Sequence, residues 1–207
     1  MSVRLAVLAS GGGSNLQAIL DRFATMEHVR CALVVSDRAR AGALRRAEAA
    51  NVPALHVPAD AGSDAALLAA LDEHRIDLIA ERYRGRILNI HPALLPAFGG
   101  AGMYGMRVHE AVLAAGCRIT GATVHHVDER YDEGRIIAQW PVPVLPDDTA
   151  ETLAARVLRV EHRLYPAVID MVAHHMRGEP VSIATSSDEF RLANNDSEAD
   201  IMALARI

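Results

Sequence analysis

The chain has 207 residues, of which 51% are hydrophobic and 23% are charged, and its formal net charge is −5 at pH 7. This length suffices for one well-buried domain, and an acidic chain lacks the basic surface that nucleic-acid-binding proteins require. No stretch approaches the roughly 18 apolar residues of a membrane helix, and no signal peptide is visible. Cys31 and Cys117 lie far apart in apolar contexts, which predicts free thiols and a cytoplasmic protein.

The first half of the chain alternates between predicted strands and helices. Strands are predicted at 3–9, 31–37, 53–58 and 76–80, and helices at 14–25, 41–51 and 64–75. Strands separated by helices of this length form βαβ units. We therefore predict an α/β fold with an open, mostly parallel sheet and helices on both faces, a Rossmann-like architecture.

The next connection breaks this alternation. The strand IDLIA at 76–80 is followed by a second strand, RILNI at 86–90, after only the residues 81–85. A parallel crossover needs about a dozen residues or more. Either the two strands form an antiparallel hairpin, or a segment is missing between Ala80 and Glu81.

The second half of the chain has a different order of elements. A glycine-rich loop at 97–106 leads to a predicted helix at 107–115, a strand at 119–127, a polar loop at 128–135, a strand at 136–144 and a long helix at 151–176. The two prolines of the strand at 136–144 place it at a sheet edge. The residues after 176 are polar and poorly patterned.

The first candidate site is the stretch SGGGSNLQ at 10–17, between a strand and a helix that Ser14 is expected to cap. Three glycines allow a tight turn, and backbone N–H groups at a helix N-terminus attract anions. The spacing matches neither the dinucleotide fingerprint nor the Walker loop. We interpret Gly13, Ser14 and Asn15 as holding a small phosphate ester, with a plain strand-to-helix turn as the alternative.

The second candidate is the pair Asn89 and His91, which point to one face at the carboxyl end of a strand. An amide donor can stabilise a developing oxyanion, and an imidazole can accept the proton of an attacking amine. The pair therefore indicates acyl transfer. A hydrogen-bonded core Asn/His pair is equally consistent with the sequence alone.

The third candidate is ATVHHVDERYDEG at 122–134. His125 and His126 face opposite sides of their strand, so only one of them can join a site, and Asp132 could raise the pKa of an imidazole. A solvated acidic turn is the alternative. No metal-ligand spacing is present, so no metal is expected. On the last helix, Glu161 is either a surface carboxylate or a further site residue.

Together these motifs resemble a known family. SGGGSNLQAIL, LNIHPALLPAF, GATVHHVDERYDEGRIIAQ and RVLRVEHRLYP, in this order, are similar to the phosphoribosylglycinamide formyltransferases, folate-dependent enzymes of purine synthesis. The resemblance runs from about residue 3 to residue 170. It implies a single formyltransferase domain over 1–207, with phosphate-binding βαβ units in 1–80, a catalytic half in 86–176 and a tail in 177–207.

The resemblance also implies roles for individual residues. Asn89, His91 and Asp132 match the catalytic residues, with Asp132 tuning the histidine; Gly13, Ser14, Asn15 and Glu161 match ribonucleotide-binding positions; Thr123 and His125 match supporting positions. The implied reaction moves a formyl group from 10-formyltetrahydrofolate, a cosubstrate, to the amine of glycinamide ribonucleotide. No nucleic acid, membrane or metal takes part. The oligomeric state is left open, with a homodimer as one assembly we consider.

The chain departs from the family between IDLIA and ERYRG, where relatives carry about a dozen more residues that line the folate pocket. Two alternatives follow. A formyltetrahydrofolate deformylase would hand the formyl group to water, and a phosphosugar-binding protein would have lost folate chemistry. Methionyl-tRNA formyltransferase fits less well, since it binds RNA and this chain is acidic.

Overall fold

The computed structural model describes residues 2–78 and 87–179. These residues divide into two compact units, one comprising 2–78, 87 and 169–179 and the other comprising 88–168. Within the described residues, no helix is long and apolar enough to cross a membrane.

The first unit is built from alternating strands and helices, as the sequence predicts. In chain order they are β1 (Val3–Leu8), α1 (Ser14–Phe23), β2 (Val29–Ser36), α2 (Gly42–Ala49), β3 (Ala54–His56) and α3 (Ser63–Glu73). The three strands pair in parallel in the order β1-β2-β3. On the other side of β1, Leu78 forms a parallel bridge with Leu5, so the predicted strand at 76–80 begins beside β1.

Buried side chains from the strands and the helices form the core of the first unit and hold its parallel sheet together. Apart from the exposed Arg30, both faces of β2 are buried, and its side chains form a continuous apolar run over 31–35, as expected of a central parallel strand. The largest fully buried side chains of the unit come from both the sheet and the helices: Leu5, Leu16, Ile19, Val29, Leu33, Val34, Leu71, Leu78 and Ile169. The α/β class is therefore confirmed.

Gly13, and not Ser14, is the N-cap residue of α1. Gly13 has φ 74°, in the left-handed region that favours glycine, and no side chain of the described residues caps the helix. A Cβ at this position would lie 2.7 Å from the Cα of Ala43. The prediction that Ser14 caps the helix was wrong. The close approach of α2 requires a glycine at position 13, and Ser14 is the first residue of the helix itself.

The second unit has an antiparallel sheet. Its elements are β4 (Leu88–His91), α4 (Met106–Ala114), β5 (Ile119–His126), β6 (Ile136–Pro143) and the part of α5 (Ala150–Met176) up to residue 168. The strands pair in the order β4-β5-β6, so among the described strands β6 lies at an edge, as its prolines indicate. The predicted parallel pairing thus holds in the first unit, while the described strands of the second unit pair antiparallel.

The start of α5 is fixed by side chains. The Thr149 hydroxyl accepts a hydrogen bond from the backbone N–H of Thr152, and the Thr152 hydroxyl accepts one from Thr149. Arg156 forms a bidentate pair with Asp148 and also donates to the carbonyl of Pro143. These contacts tie the first turns of the helix to the end of β6. The predicted core residues of the helix are all buried: Leu153, Val157, Val160, Leu164 and Val168.

Gly121 lies in β5, where there is no room for a side chain. A Cβ there would clash with the backbone oxygen of Trp140 and lie 2.7 Å from the Leu94 Cδ2. We expect Gly121→Ala to lower the free energy of unfolding by about 1–3 kcal/mol, because overpacking forces backbone shifts. Urea denaturation measures this change. Gly62→Ala is the matched control, since its Cβ would meet nothing nearer than 3.6 Å and should leave the midpoint unchanged.

Two expectations concern residues outside those described. The short connection between Ala80 and Glu81, with its alternatives of a hairpin or a missing segment, lies in 79–86. Most of the predicted tail lies beyond residue 179. The single-domain organisation over 1–207 likewise stays a prediction.

Candidate active site

A cavity of about 830 Å³ lies in the second unit. Four of the sequence-predicted site residues line it: Asn89, His91, Asp132 and Glu161. One wall is the glycine-rich loop at 100–106, and another is formed by small and apolar residues of α5. The fold therefore brings these four residues, predicted from separate parts of the sequence, together at one site.

The strand β4 places Asn89 and His91 on the same side of the sheet. Asn89 lies opposite His125 in β5, and His91 lies opposite Thr123. Because side chains two residues apart in a strand share a face, all four side chains lie on one face of this pair. His91, Thr123 and His125 are buried, whereas Asn89 is partly exposed at the cavity.

Asn89 is oriented by His125. The Asn89 Nδ2 lies 3.2 Å from the His125 Nε2, and the His125 Nδ1 lies 2.9 Å from the carbonyl oxygen of His126. A carbonyl can only accept, so the hydrogen of a neutral His125 is on Nδ1 and Nε2 accepts from the amide. This contact uses one N–H of the Asn89 amide and leaves the second to serve as a donor to a bound group.

His91 contacts protein groups through both ring nitrogens. Its Nε2 lies 2.8 Å from the carbonyl oxygen of Phe98, and its Nδ1 lies 3.5 Å from the Asp132 Oδ2. Burial lowers the pKa of His91 below its ordinary value, and the opposing effect of the Asp132 carboxylate is smaller. Asp132 therefore acts in the predicted direction, but the expected net rise in the pKa is wrong because desolvation is the larger cause.

Asp132 lies between His91 and His125. Its position is fixed by a left-handed backbone conformation and by a hydrogen bond from the glycine-rich loop. It has φ 59°, and its Oδ2 accepts a hydrogen bond from the backbone N–H of Gly100. Its Oδ1 lies 3.6 Å from the His125 Nε2. Gly99 packs closely here, since a Cβ there would lie 2.6 Å from the Leu95 Cδ2 and 3.1 Å from the Asp132 Cβ. The glycine-rich loop is thus packed against the carboxylate that it orients.

Thr123 supports the turn that follows His91. Its hydroxyl donates to the carbonyl of Ala93 and accepts from the backbone N–H of Leu95, at 2.7 and 3.0 Å. Gln139 of β6 donates to the same hydroxyl and to the carbonyl of Leu95. Thr123 is therefore a supporting residue without contact to the cavity. Gln139 was missed by sequence reasoning, because only the β5-β6 register brings it here.

Glu161 lies on the α5 face that lines the cavity and is 8% exposed. One turn later, the Tyr165 hydroxyl donates to the carbonyl oxygen of Leu88 at 2.7 Å. Burial raises the pKa of Tyr165, so its hydroxyl stays a neutral donor. This bond anchors β4 directly before Asn89, a role that the sequence did not reveal.

His109 of α4 is a further cavity residue that sequence reasoning missed. It is 4% exposed, and its Nδ1 has no hydrogen-bond partner among the described residues. Burial and the neighbouring His91 lower its pKa. A polar residue on the buried face of an amphipathic helix was the available signal.

Gly13, Ser14 and Asn15 lie in the first unit, at the first turn of α1. Arg46 of α2 donates from Nε to the carbonyl of Gly12 and from a terminal nitrogen to Gln17 of α1. The loop is thus a strand-to-helix turn that ends at the N-terminus of α1. Its role in binding a phosphate stays a prediction.

We expect His125→Phe to lower kcat for the formyl transfer that the resemblance implies about fivefold, because the amide of Asn89 loses an orienting hydrogen bond that contributes about 1 kcal/mol. His126→Phe is the matched control, since the side chain of His126 faces the other side of β5 and should leave kcat unchanged. Steady-state kinetics on both variants measure the difference. Equal rates for the wild-type protein and His125→Phe would contradict a positioning role.

Comparison with known proteins bears on this site. A family profile described as "Formyl transferase" matches residues 3–169. A phosphoribosylglycinamide formyltransferase from Bacillus subtilis is 36% identical over 196 residues, which cover 85% of this chain and 98% of that protein. A chloroplastic phosphoribosylglycinamide formyltransferase from Vigna unguiculata is 40% identical over 186 residues, and the match spans 60% of its length.

Solved structures agree with these matches. The crystal structure of glycinamide ribonucleotide transformylase 1 from Symbiobacterium toebii has a TM-score of 0.77 and 41% identity, covering 84% of this chain and 89% of that one. The corresponding protein from Geobacillus kaustophilus has a TM-score of 0.76 and 38% identity, covering 84% of this chain and all of that one (100%). The chain therefore belongs to the formyl transferase family, in its phosphoribosylglycinamide formyltransferase branch.

Proposed function

We propose that this chain transfers a formyl group from 10-formyltetrahydrofolate to the amine of glycinamide ribonucleotide, a step of de novo purine biosynthesis. The observation that carries the proposal is the arrangement in one cavity of Asn89, His91 and Asp132. The names of its relatives support the same reaction. Relatives from Gallus gallus and Homo sapiens, 40% and 38% identical, are named trifunctional purine biosynthetic proteins.

The reaction begins when the glycinamide amine attacks the formyl carbon. A carbon–nitrogen bond forms, and the carbonyl electrons move to the oxygen to give a tetrahedral oxyanion. The second N–H of the Asn89 amide, already oriented by His125, donates to this oxygen. Collapse of the intermediate breaks the bond between the formyl carbon and the folate nitrogen. The products are formylglycinamide ribonucleotide and tetrahydrofolate.

His91 carries the proton between these steps. In the neutral ring, Nε2 bears the hydrogen accepted by Phe98, so Nδ1 is the nitrogen that takes up a proton. The lowered pKa keeps the resting ring neutral near pH 7, ready to accept the amine proton. Asp132, 3.5 Å from Nδ1, stabilises the imidazolium that results, and the proton then passes to the leaving folate nitrogen.

The remaining site residues bind the substrate. Gly13, Ser14 and Asn15 hold the ribonucleotide phosphate through backbone amides at the start of α1, and Glu161 contacts the ribonucleotide. Thr123 and His125 act indirectly, by supporting the turn after β4 and the Asn89 amide. The folate is a cosubstrate, and no metal enters this scheme.

The proposed setting is the cytoplasm. Cys31 and Cys117 are free, and burial raises the pKa of the Cys31 thiol to about 12, which keeps it unreactive. A homodimer remains the assembly we consider, to be tested by sedimentation.

The test is tetrahydrofolate release from 10-formyltetrahydrofolate by the purified chain, with and without glycinamide ribonucleotide. Release only with the ribonucleotide, together with formylated product, supports the transferase. Equal release without it would identify a deformylase. No release, with calorimetry still showing ribonucleotide binding, would identify the phosphosugar-binding alternative and direct attention to residues 79–86.

A further inference from the structure

Two histidines and an aspartate converge in the first unit, at the end of α5. The His28 Nε2 lies 2.6 Å from the Asp170 Oδ1, and the His174 Nε2 lies 3.6 Å from the same oxygen. The two imidazole rings are 4.4 Å apart between centroids. Asp170 and His174 are four residues apart on one helix face, and His28 comes from the segment before β2.

The three ligand atoms, one from each residue, lie within 4.8 Å of one another. Imidazole nitrogens with one carboxylate oxygen are the donors that zinc and similar divalent ions prefer, whereas magnesium and calcium favour oxygen alone. Three protein ligands leave a fourth tetrahedral position for water.

Hydrogen bonds with neighbouring side chains orient the donor atoms of His174 and Asp170. The His174 Nδ1 lies 2.6 Å from the Glu179 Oε2, so in the neutral ring Nδ1 carries the hydrogen and Nε2 presents its lone pair toward Asp170. A carboxylate behind a ligating histidine is the usual support of a metal site. Arg22 donates to the Asp170 Oδ2, which leaves Oδ1 for an ion. The second imidazole nitrogen, from His174, lies 3.6 Å from the same oxygen that His28 contacts, so three potential ligand atoms converge at one point.

We propose that His28, Asp170 and His174 bind a divalent transition-metal ion of the zinc class, with Glu179 orienting His174. The ion takes the place of the hydrogen bond between His28 and Asp170 and joins the last turns of α5 to the segment before β2. Arg22 remains on the other carboxylate oxygen, so its positive charge weakens the site without blocking it. This site is independent of the proposed formyl transfer.

The first experiment is calorimetric titration of the untagged full-length chain with zinc chloride near neutral pH, followed by thermal unfolding with and without zinc. We expect one ion per chain and a higher Tm with zinc. His28→Ala, His174→Ala and Asp170→Asn should each abolish both effects, since each removes a ligand. His175→Ala is the matched control, because His175 is exposed beside the cluster and should bind like the wild type.

A graded variant separates a metal site from a simple ion-pair cluster. Glu179→Gln should weaken zinc binding about ten- to a hundredfold, the usual effect of losing an outer carboxylate, while one ion is still bound. Cobalt should give the intense visible absorption of a tetrahedral site, lost in His174→Ala. Absence of zinc binding, or binding that persists unchanged in His174→Ala and Asp170→Asn, would overturn the proposal. Circular dichroism checks that each variant is folded.

Discussion

Replacing Asn89 with aspartate should lower kcat for formyl transfer by on the order of a hundredfold or more, which is the usual effect of losing one oxyanion donor. The change keeps the size of the side chain but removes both of its N–H donors. A carboxylate would repel the developing oxyanion and would face the lone pair of the His125 Nε2, 3.2 Å away in the wild type. Steady-state rates of tetrahydrofolate release measure the effect.

The matched control for this variant is Asn51→Asp. Asn51 is exposed in a turn of the first unit with φ 55°, a conformation that aspartate tolerates nearly as well as asparagine. It introduces the same charge and should leave kcat unchanged. Asn51→Asp should give a wild-type urea unfolding curve, and circular dichroism checks that Asn89→Asp is folded. A wild-type rate in Asn89→Asp would show that another group stabilises the oxyanion.

Much of the candidate site was predictable because it follows from the two-residue period of a strand. That period alone places Asn89 and His91 on one face and separates His125 from His126, and the register of β4 with β5 bears out both inferences. The glycine-rich loop and the long helix were also predictable, since their residue types and apolar spacing are local signals.

Contacts between distant segments were not predictable. Gln139 reaches Thr123 only through the β5-β6 register, and Tyr165 reaches the Leu88 carbonyl across 77 positions in the chain. The net direction of the His91 pKa was also missed, because charge can be read from a sequence whereas the degree of burial cannot. The cap of α1 depends on the approach of Ala43, which is likewise a tertiary effect.

For the fold, too, local patterns were predictable from the sequence and the pairing of distant segments was not. Parallel βαβ units follow from alternating patterns, and the first unit has them. The antiparallel pairing of β4 with β5 has no local signature, because the connection between them is a loop and a helix that would also serve a parallel crossover. Local periodicity therefore identifies elements well and their pairing direction less well.

The second prediction with a large expected effect concerns Asp132. Replacing this residue should change both kcat and the pH dependence of kcat. Asp132→Asn should lower the maximal kcat by on the order of a hundredfold, the lower end of what general acid–base catalysis contributes, because the imidazolium of His91 loses its neighbouring negative charge. The carboxylate raises the pKa of His91 against the larger effect of burial, so its removal lowers that pKa further. Since neutral His91 accepts the amine proton, the acidic limb of the kcat–pH profile should move to lower pH.

Asparagine suits this test because it disturbs the loop little. It tolerates the φ of 59° at this position, and its side-chain oxygen can still accept the hydrogen bond from Gly100. Asp128→Asn is the matched control, since Asp128 is exposed in the same loop and should change neither the rate nor the profile. An acidic limb that moves to higher pH in Asp132→Asn would mean that protonated His91 is the active form. An unchanged limb would mean that His91 does not titrate in catalysis, and the fall in rate would then reflect the position of the histidines alone.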